Sequence, residues 1–284
     1  MSLPPLIIEV AVNGATTRDE HPRVPITKEE IVADARACAA EGASVIHVHG
    51  RKPDGGWAFD DADAHREIFA ELRCDGLLVY PSMSFSTGDP VARFRHVDAL
   101  GAEGLLDWAP VDTGTVYLIR CADGRLAPRG FAYVNPVEDS RHALALCERH
   151  GLAPSVAAYE PGFVRQLLLL LPEFPGLRPA VVRFMFGGSV LPFGFPPEPA
   201  FVDAYVELLR GASFPWMVAC YGGDVLPIAE HAIRRGGHVR VGLEDDASDP
   251  ARGNVERVRE VAALARRLGR EIATPADARR LTGA

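Results

Sequence analysis

The sequence has no Cys-x-x-Cys pair, no segment on which Lys and Arg cluster, and no basic region ahead of its first apolar run. Each absence removes a class of protein. Five cysteines (Cys38, Cys74, Cys121, Cys147 and Cys220) are an odd count without paired spacing, which argues against a disulfide framework and makes buried free thiols the ordinary reading. Lys and Arg number 30 against 38 Asp and Glu, a formal net charge of −8, so there is no basic footprint for nucleic acid or an anionic membrane. The opening MSLPPLIIEVAV carries an apolar run far too short to span a bilayer and lacks the charged start of a secretory leader, so a cytoplasmic protein is expected. Small molecules remain as the expected partners.

What the chain does have is the composition of a packed enzyme body: 284 residues, 48% hydrophobic and 24% charged. Short apolar, β-branched runs alternate with longer amphipathic ones, the pattern of repeated βα units around a parallel sheet. Eight strands are expected, at residues 6–12, 43–49, 76–82, 104–109, 154–159, 180–186, 216–221 and 238–243. Their near-continuous hydrophobicity suits strands buried on both faces. Thr27 followed by Glu30 forms a capping box ahead of Ile31, Ala35 and Cys38, so the first helix starts there and ends near Gly42. Further helices are expected over residues 60–73, 137–150, 162–171, 198–210, 226–235 and 255–268, with the helix after the third strand left undefined. The count favours an α/β fold of the (β/α)8 TIM-barrel type, a single domain over residues 1–284, with a doubly wound sheet as the alternative. Residues 112–135 and the Gly/Pro-rich 186–199 exceed ordinary βα connections, and long βα loops in a barrel build its site.

Two strand ends carry chemistry. In Val45-Ile46-His47-Val48-His49 the period of two puts both imidazoles on one face, where they can bind a borderline divalent ion such as zinc. In His238-Val239-Arg240-Val241-Gly242-Leu243-Glu244-Asp245 the same parity groups Arg240 with Glu244, and Asp245 opens the following loop. A closed barrel sets strands two and eight on either side of strand one, so Glu244 can join His47 and His49 as a third metal ligand. Two His and one carboxylate leave positions open for substrate, as catalytic sites do. Asp245 is then a candidate general base and Arg240 its partner or a clamp for a substrate carboxylate. The blander readings are hydrogen-bonded histidines at a packed strand end and a solvated acidic loop capping the next helix.

Ser82, at the end of the third strand, is placed to bond a substrate oxygen. Gly187, Gly188 and Ser189, and likewise Gly222-Gly223-Asp224, follow strands six and seven, where barrels present backbone N–H groups to phosphate, though Gly-Gly turns are common without any ligand. Tyr80, Trp108 and Phe186 at strand ends hint at an apolar pocket, with core packing as their commoner role.

Residues 42–51 (GASVIHVHGR) and 237–245 (GHVRVGLED) together resemble the β-keto acid cleavage enzymes, and the likeness extends to Asn13-Gly14-Ala15-Thr16-Thr17-Arg18, Pro25-Ile26-Thr27, Tyr159-Glu160 and Ala273-Thr274-Pro275. The resemblance implies a barrel holding zinc through His47, His49 and Glu244, with Asp245 as base, Arg240 assisting and Ser82 contacting substrate. It also implies a reaction in which a β-keto acid and acetyl-CoA, as co-substrate, give an acyl-CoA and acetoacetate, in a homo-oligomer as barrels of this kind commonly form. Gly187, Gly188 and Ser189 are the candidate contacts for the phosphorylated co-substrate. Two acidic residues that the family's 3-keto-5-aminohexanoate-cleaving member uses to hold an ammonium group match Thr16 and Ala157 here. A substrate without that amino group, with a neutral or differently charged tail, is therefore expected, since a buried cation needs a counter-charge. A zinc-dependent hydrolase or aldolase on the same barrel, and a non-catalytic metabolite-binding barrel, are the rival readings. The hydrolase usually needs further histidine ligands that strands five to seven lack, and a binding barrel has no use for a base beside a metal.

Overall fold

The computed structural model describes residues 3–85, 88–209 and 211–284. Eight parallel strands form one sheet: β1 (Ile8–Ala11), β2 (Val45–Val48), β3 (Leu78–Pro81), β4 (Trp108–Val111), β5 (Ala153–Ala158), β6 (Val181–Gly187), β7 (Trp216–Tyr221) and β8 (His238–Val241). Their order, β3-β2-β1-β8-β7-β6-β5-β4, is that of a (β/α)8 barrel, nearly closed at one seam. At that seam the Asp107 amide donates to Val79 O at 3.3 Å and the Asp107 carboxylate accepts from Val79 N at 3.1 Å. A side chain there takes the place of a ladder bond.

Helices alternate with the strands: α1 (Lys28–Glu41), α2 (Asp63–Cys74), α3 (Pro90–Ala102), α4 (Val137–His150), α5 (Pro161–Leu170), α6 (Pro199–Leu208), α7 (Leu226–Arg234), α8 (Asn254–Arg267) and a terminal α9 (Pro275–Thr282). None is long and apolar enough to cross a membrane. Thr27 caps α1 with the expected box, and α3, undefined from sequence, starts on Asp89, whose carboxylate accepts from Ala92 N at 3.2 Å. The expected α6 ran on to Arg210, which lies outside the described residues. Strand β4 lies later than expected. Residues 104–107 are spent on the turn out of α3 and on the Asp107 seam, so pairing begins only at Trp108.

Strand parity sorts the barrel interior into layers. Ile7, Val45, Leu78, Trp108, Ala153, Val181 and Met217 fill its N-terminal end, against α9. Outward residues such as Ile8, Val10, Ile46 and Val48 pack on the helices in a second, larger core. One register step up the inward face, Glu9 stands opposite Arg240 on β8 and Arg183 opposite Ala157 on β5. The interior therefore turns from apolar to charged toward the C-terminal ends of the strands, where barrel sites form. Over that end, residues 112–135 fold into two small antiparallel ribbons, Val116–Leu118 with Phe131–Tyr133 and Cys121–Ala122 with Arg125–Leu126.

Candidate active site

His47 on β2 and His49 just beyond it face the interior together, and Glu244, from the turn after β8, reaches them across β1. The two Nε2 atoms are 3.1 Å apart, and Glu244 Oε2 lies 3.4 Å from one and 3.2 Å from the other. Ligand atoms on a tetrahedral ion with bonds of roughly 2.0–2.1 Å stand roughly 3.3 Å apart, so the spacing fits a single divalent cation. Two further observations support the fit. His47 Nδ1 is 3.3 Å from Tyr80 O, which places the proton there and leaves the Nε2 lone pair facing the cluster. Glu244 Oε2 is buried without a hydrogen-bond donor, as expected of an oxygen reserved for a cation. Burial holds the His47 imidazole well below its usual range and so neutral. Burial pushes the Glu244 carboxyl upward, but the Arg240 guanidinium beside it outweighs that and holds it well below the usual range.

The loop after β1 sets this geometry. Asn13 clamps the His49 backbone, accepting from His49 N at 3.0 Å and donating to His49 O at 3.0 Å. Gly14 has φ +50°, and a Cβ there would stand 2.3 Å from Glu244 Cγ, so only glycine lets the ligand lie where it does. Gly242, directly after β8, is required for a different contact: a Cβ there would meet the Ala11 carbonyl oxygen of β1 at 2.1 Å. Behind His49, Gly50 N donates to His65 Nε2 at 3.0 Å; burial pushes that imidazole down to about 3, and it serves as a neutral acceptor.

Below the cluster runs a buried ionic network. Arg240 donates to both oxygens of Asp245, at 2.8 and 2.7 Å, and contacts Glu244 Oε1 at 2.7 Å and Glu9 Oε1 at 3.3 Å. Glu9 accepts from Tyr80 at 2.6 Å and from Arg183 at 2.7 Å, and Arg183 also donates to Ser155 at 3.0 Å. The Tyr80 ring stacks on His47 with centroids 4.3 Å apart. Burial raises the Asp245 carboxyl from its usual value while Arg240 opposes the rise.

These groups floor a cavity of about 820 Å³, whose walls include His47, His49, Ser82, Arg183, Arg240 and Glu244. Asp245 stands behind Arg240 rather than on the wall. The mouth is aromatic, with Trp57, Phe85 and Phe131 about half exposed, and the ribbons of residues 112–135 contribute Leu118, Arg120, Phe131 and Tyr133 to the lining.

The sequence profile of one family, described as beta-keto acid cleavage enzyme, matches residues 5–283. The chain belongs to the beta-keto acid cleavage enzyme family. Among similar proteins, the 3-keto-5-aminohexanoate cleavage enzyme of Fusobacterium nucleatum is 30% identical over 97% of both chains. The 3-oxoadipate:acetyl-CoA acetyltransferase of Cupriavidus necator is 27% identical over 98% of this chain and 95% of that protein. The solved apo structure of ObcA superposes with a TM-score of 0.69 at 20% identity, covering 92% of this chain and 66% of that one, and supports the fold.

Of the residues expected for a family member's site, His47, His49, Glu244, Arg240 and Asp245 are brought together, and Ser82 lies on the same cavity wall with its hydroxyl 3.5 Å from Phe59 O. Gly187 N and Gly188 N donate to Phe195 O and Tyr221 O at 3.0 and 2.9 Å, so those amides are engaged within the fold; Ser189 is exposed. Gly222 N is likewise engaged, on Asp245 O at 2.7 Å. Of the three aromatics, Tyr80 lines the cavity, whereas Trp108 and Phe186 are fully buried in the core because their strands carry them below or away from it. Cys38, Cys147 and Cys220 are buried as expected, but Cys74 at the end of α2 is exposed and Cys121 is half-buried. Glu9 and Arg183 escaped the sequence reading. Their signal was a single charge inside an otherwise apolar strand (IIEVAV and VVRFMF), which must be paired if the strand is buried.

Proposed function

We propose that the protein converts a β-keto acid and acetyl-CoA into acetoacetate and a new acyl-CoA at a site built on His47, His49 and Glu244. One observation carries the reading: three ligand atoms converge beside Arg240 on the floor of a cavity large enough for a keto acid and a thioester end, with Asp245 held directly behind that guanidinium. The relatives' names, which couple β-keto acids to acetyl-CoA, agree with it. A divalent ion such as zinc, held by the triad, would supply Lewis-acid polarisation of the substrate's keto and carboxylate oxygens.

Asp245 takes the proton from the carbon between the two carbonyls. Both its oxygens rest on Arg240, so one must be released first, and the guanidinium already touches Glu244 and Glu9, toward which it can swing. The carbanion attacks the acetyl carbonyl and coenzyme A leaves as the thiolate. That thiolate then attacks the original keto carbon, the bond between that carbon and the new acetoacetyl unit breaks, and Asp245 returns the proton to acetoacetate. Ser82 and Arg183 orient the substrate oxygens from the wall. No side chain needs to become a covalent nucleophile. Asp245→Asn keeps the triad and should retain the metal while losing at least about a hundredfold in kcat; metal content by atomic spectroscopy and acetoacetate formation measured on the same sample test this, and full activity in that variant removes Asp245 as the base.

A further inference from the structure

A thioester that reacts beside the triad has to reach the cavity floor, which keeps the phosphates of its coenzyme A a pantetheine arm's length away, toward the mouth. The backbone amides of Gly187, Gly188 and Gly222 are engaged within the fold, so side-chain cations are left to meet those phosphates. Among the described residues four arginines and no lysine line the cavity. Arg183 and Arg240 lie on its floor, buried and paired with Glu9, Glu244 and Asp245. Arg120 and Arg129 belong to the insertion over the mouth and are exposed. Between Thr113 and Val134 that insertion carries three arginines against one aspartate, in a chain whose formal net charge is −8. Among the described residues the Arg129 side chain has no ion-pair partner. Arg120 meets Glu20 Oε1 at 3.3 Å with its own side chain 69% exposed, which leaves its other N–H groups to solvent. Glu20 in turn is held by Thr17, whose backbone N–H and hydroxyl donate to Oε2 at 3.0 and 3.2 Å, so Arg120 is aimed across the mouth toward the loop after β1. The main chain under both arginines is fixed. Cys121 N donates to Val190 O at 2.8 Å, Ala127 N to Arg120 O at 2.8 Å, and Gly130 N to the Tyr117 hydroxyl at 2.9 Å.

We propose that Arg120 and Arg129 hold the phosphates of coenzyme A, so that the insertion selects a nucleotide-bearing thioester over one that ends at the pantetheine arm. The assignment rests on the acetyl-CoA-dependent reaction proposed above. A guanidinium matches phosphate oxygens with paired N–H donors, and hydrogen bonds between two charged partners are roughly twice as strong as neutral ones. A cationic rim on a protein of net negative charge also lowers the repulsion that a polyanionic co-substrate meets on approach.

The test compares acetyl-CoA with S-acetylpantetheine, which keeps the thioester and the arm and lacks every phosphate, in the metal-loaded protein. The double variant Arg120→Ala/Arg129→Ala should raise the KM for acetyl-CoA by about tenfold or more, while the KM for the keto acid and the kcat/KM with S-acetylpantetheine stay within about twofold of the native values. Arg125→Ala removes the same charge from the insertion at a residue that does not line the cavity, and should change the KM for acetyl-CoA by less than about threefold. An unchanged KM for acetyl-CoA in the double variant, an equal loss with S-acetylpantetheine, or an equal loss in Arg125→Ala overturns the proposal. If the double variant does not fold, Arg129→Gln alone should weaken coenzyme A binding by about threefold, and unchanged affinity counts equally against it. Should no keto acid be turned over, the reaction reading fails by itself, and calorimetry with coenzyme A still decides the subsite. The native protein should then bind coenzyme A about tenfold or more tightly than the double variant; equal affinity, or no binding to the native protein, overturns it.

Discussion

His47, His49, Arg240, Glu244 and Asp245 were legible because strand parity converts sequence spacing into shared faces, and the structure brings all five together. Arg120 and Arg129 were not. They stand in irregular backbone between the ribbon strands of a long insertion, where no parity assigns a face. Gly14 was visible only as part of a motif, and its reason is steric: the added methyl of Gly14→Ala would overlap Glu244 Cγ at a backbone angle alanine disfavours. We expect that substitution to weaken metal binding by about tenfold or more, with a stability loss of about 1–2 kcal/mol. Gly76→Ala is the matched comparison, since Gly76 also has a positive φ but nothing within 4 Å of its Cβ position. It should cost stability and leave metal affinity alone. Metal titration and thermal unfolding of both variants separate the two effects, and equal metal affinity in the two would contradict the steric account.

Elements with their own end signals were read closely from the chain. The Thr27–Glu30 box set the start of α1, and α4 spans the expected Val137–His150. Elements whose limits depend on distant partners were not: β4 waits on the Asp107 seam, and α9 was passed over although Thr274 and Asp277 form a capping box with Pro275 between them. Asn254, the first residue of α8, shows how elements are tied near the site. It accepts from Leu243 N at 2.8 Å and donates to Val12 O at 2.8 Å and to Asp34 on α1 at 2.6 Å. Burial pushes the Asp34 carboxyl from 3.8 up to about 6. The folded chain thus holds this proton more tightly than the unfolded chain, so stability is highest at low pH for this group and falls as pH rises through about 4 to 6. Asp34→Asn removes that loss and should raise stability by about 1–2 kcal/mol at pH 7 with little effect near pH 4, the side chain being partly open to water. Unfolding midpoints across that range check it; a destabilised variant at pH 7 would contradict the assignment.

At the scale of the whole molecule, the alternation of apolar strands and amphipathic helices was enough to predict eight-fold closure, and the order of the sheet bears it out. Closure is what makes the chemistry: it sets β2 and β8 on either side of β1, so that residues nearly two hundred positions apart share one site. What the chain alone could not show was how the insertion of residues 112–135 folds over the barrel mouth, because its ribbons are too short to carry a period. The proposed reaction predicts a distinctive fate for every carbon. With an isotopically labelled acetyl group on acetyl-CoA and an unlabelled β-keto acid, the label should appear in the methyl and keto carbons of acetoacetate, with the remainder of the keto acid recovered as an unlabelled acyl-CoA. Unlabelled acetoacetate, or label released as acetate with the keto acid intact, would contradict the account.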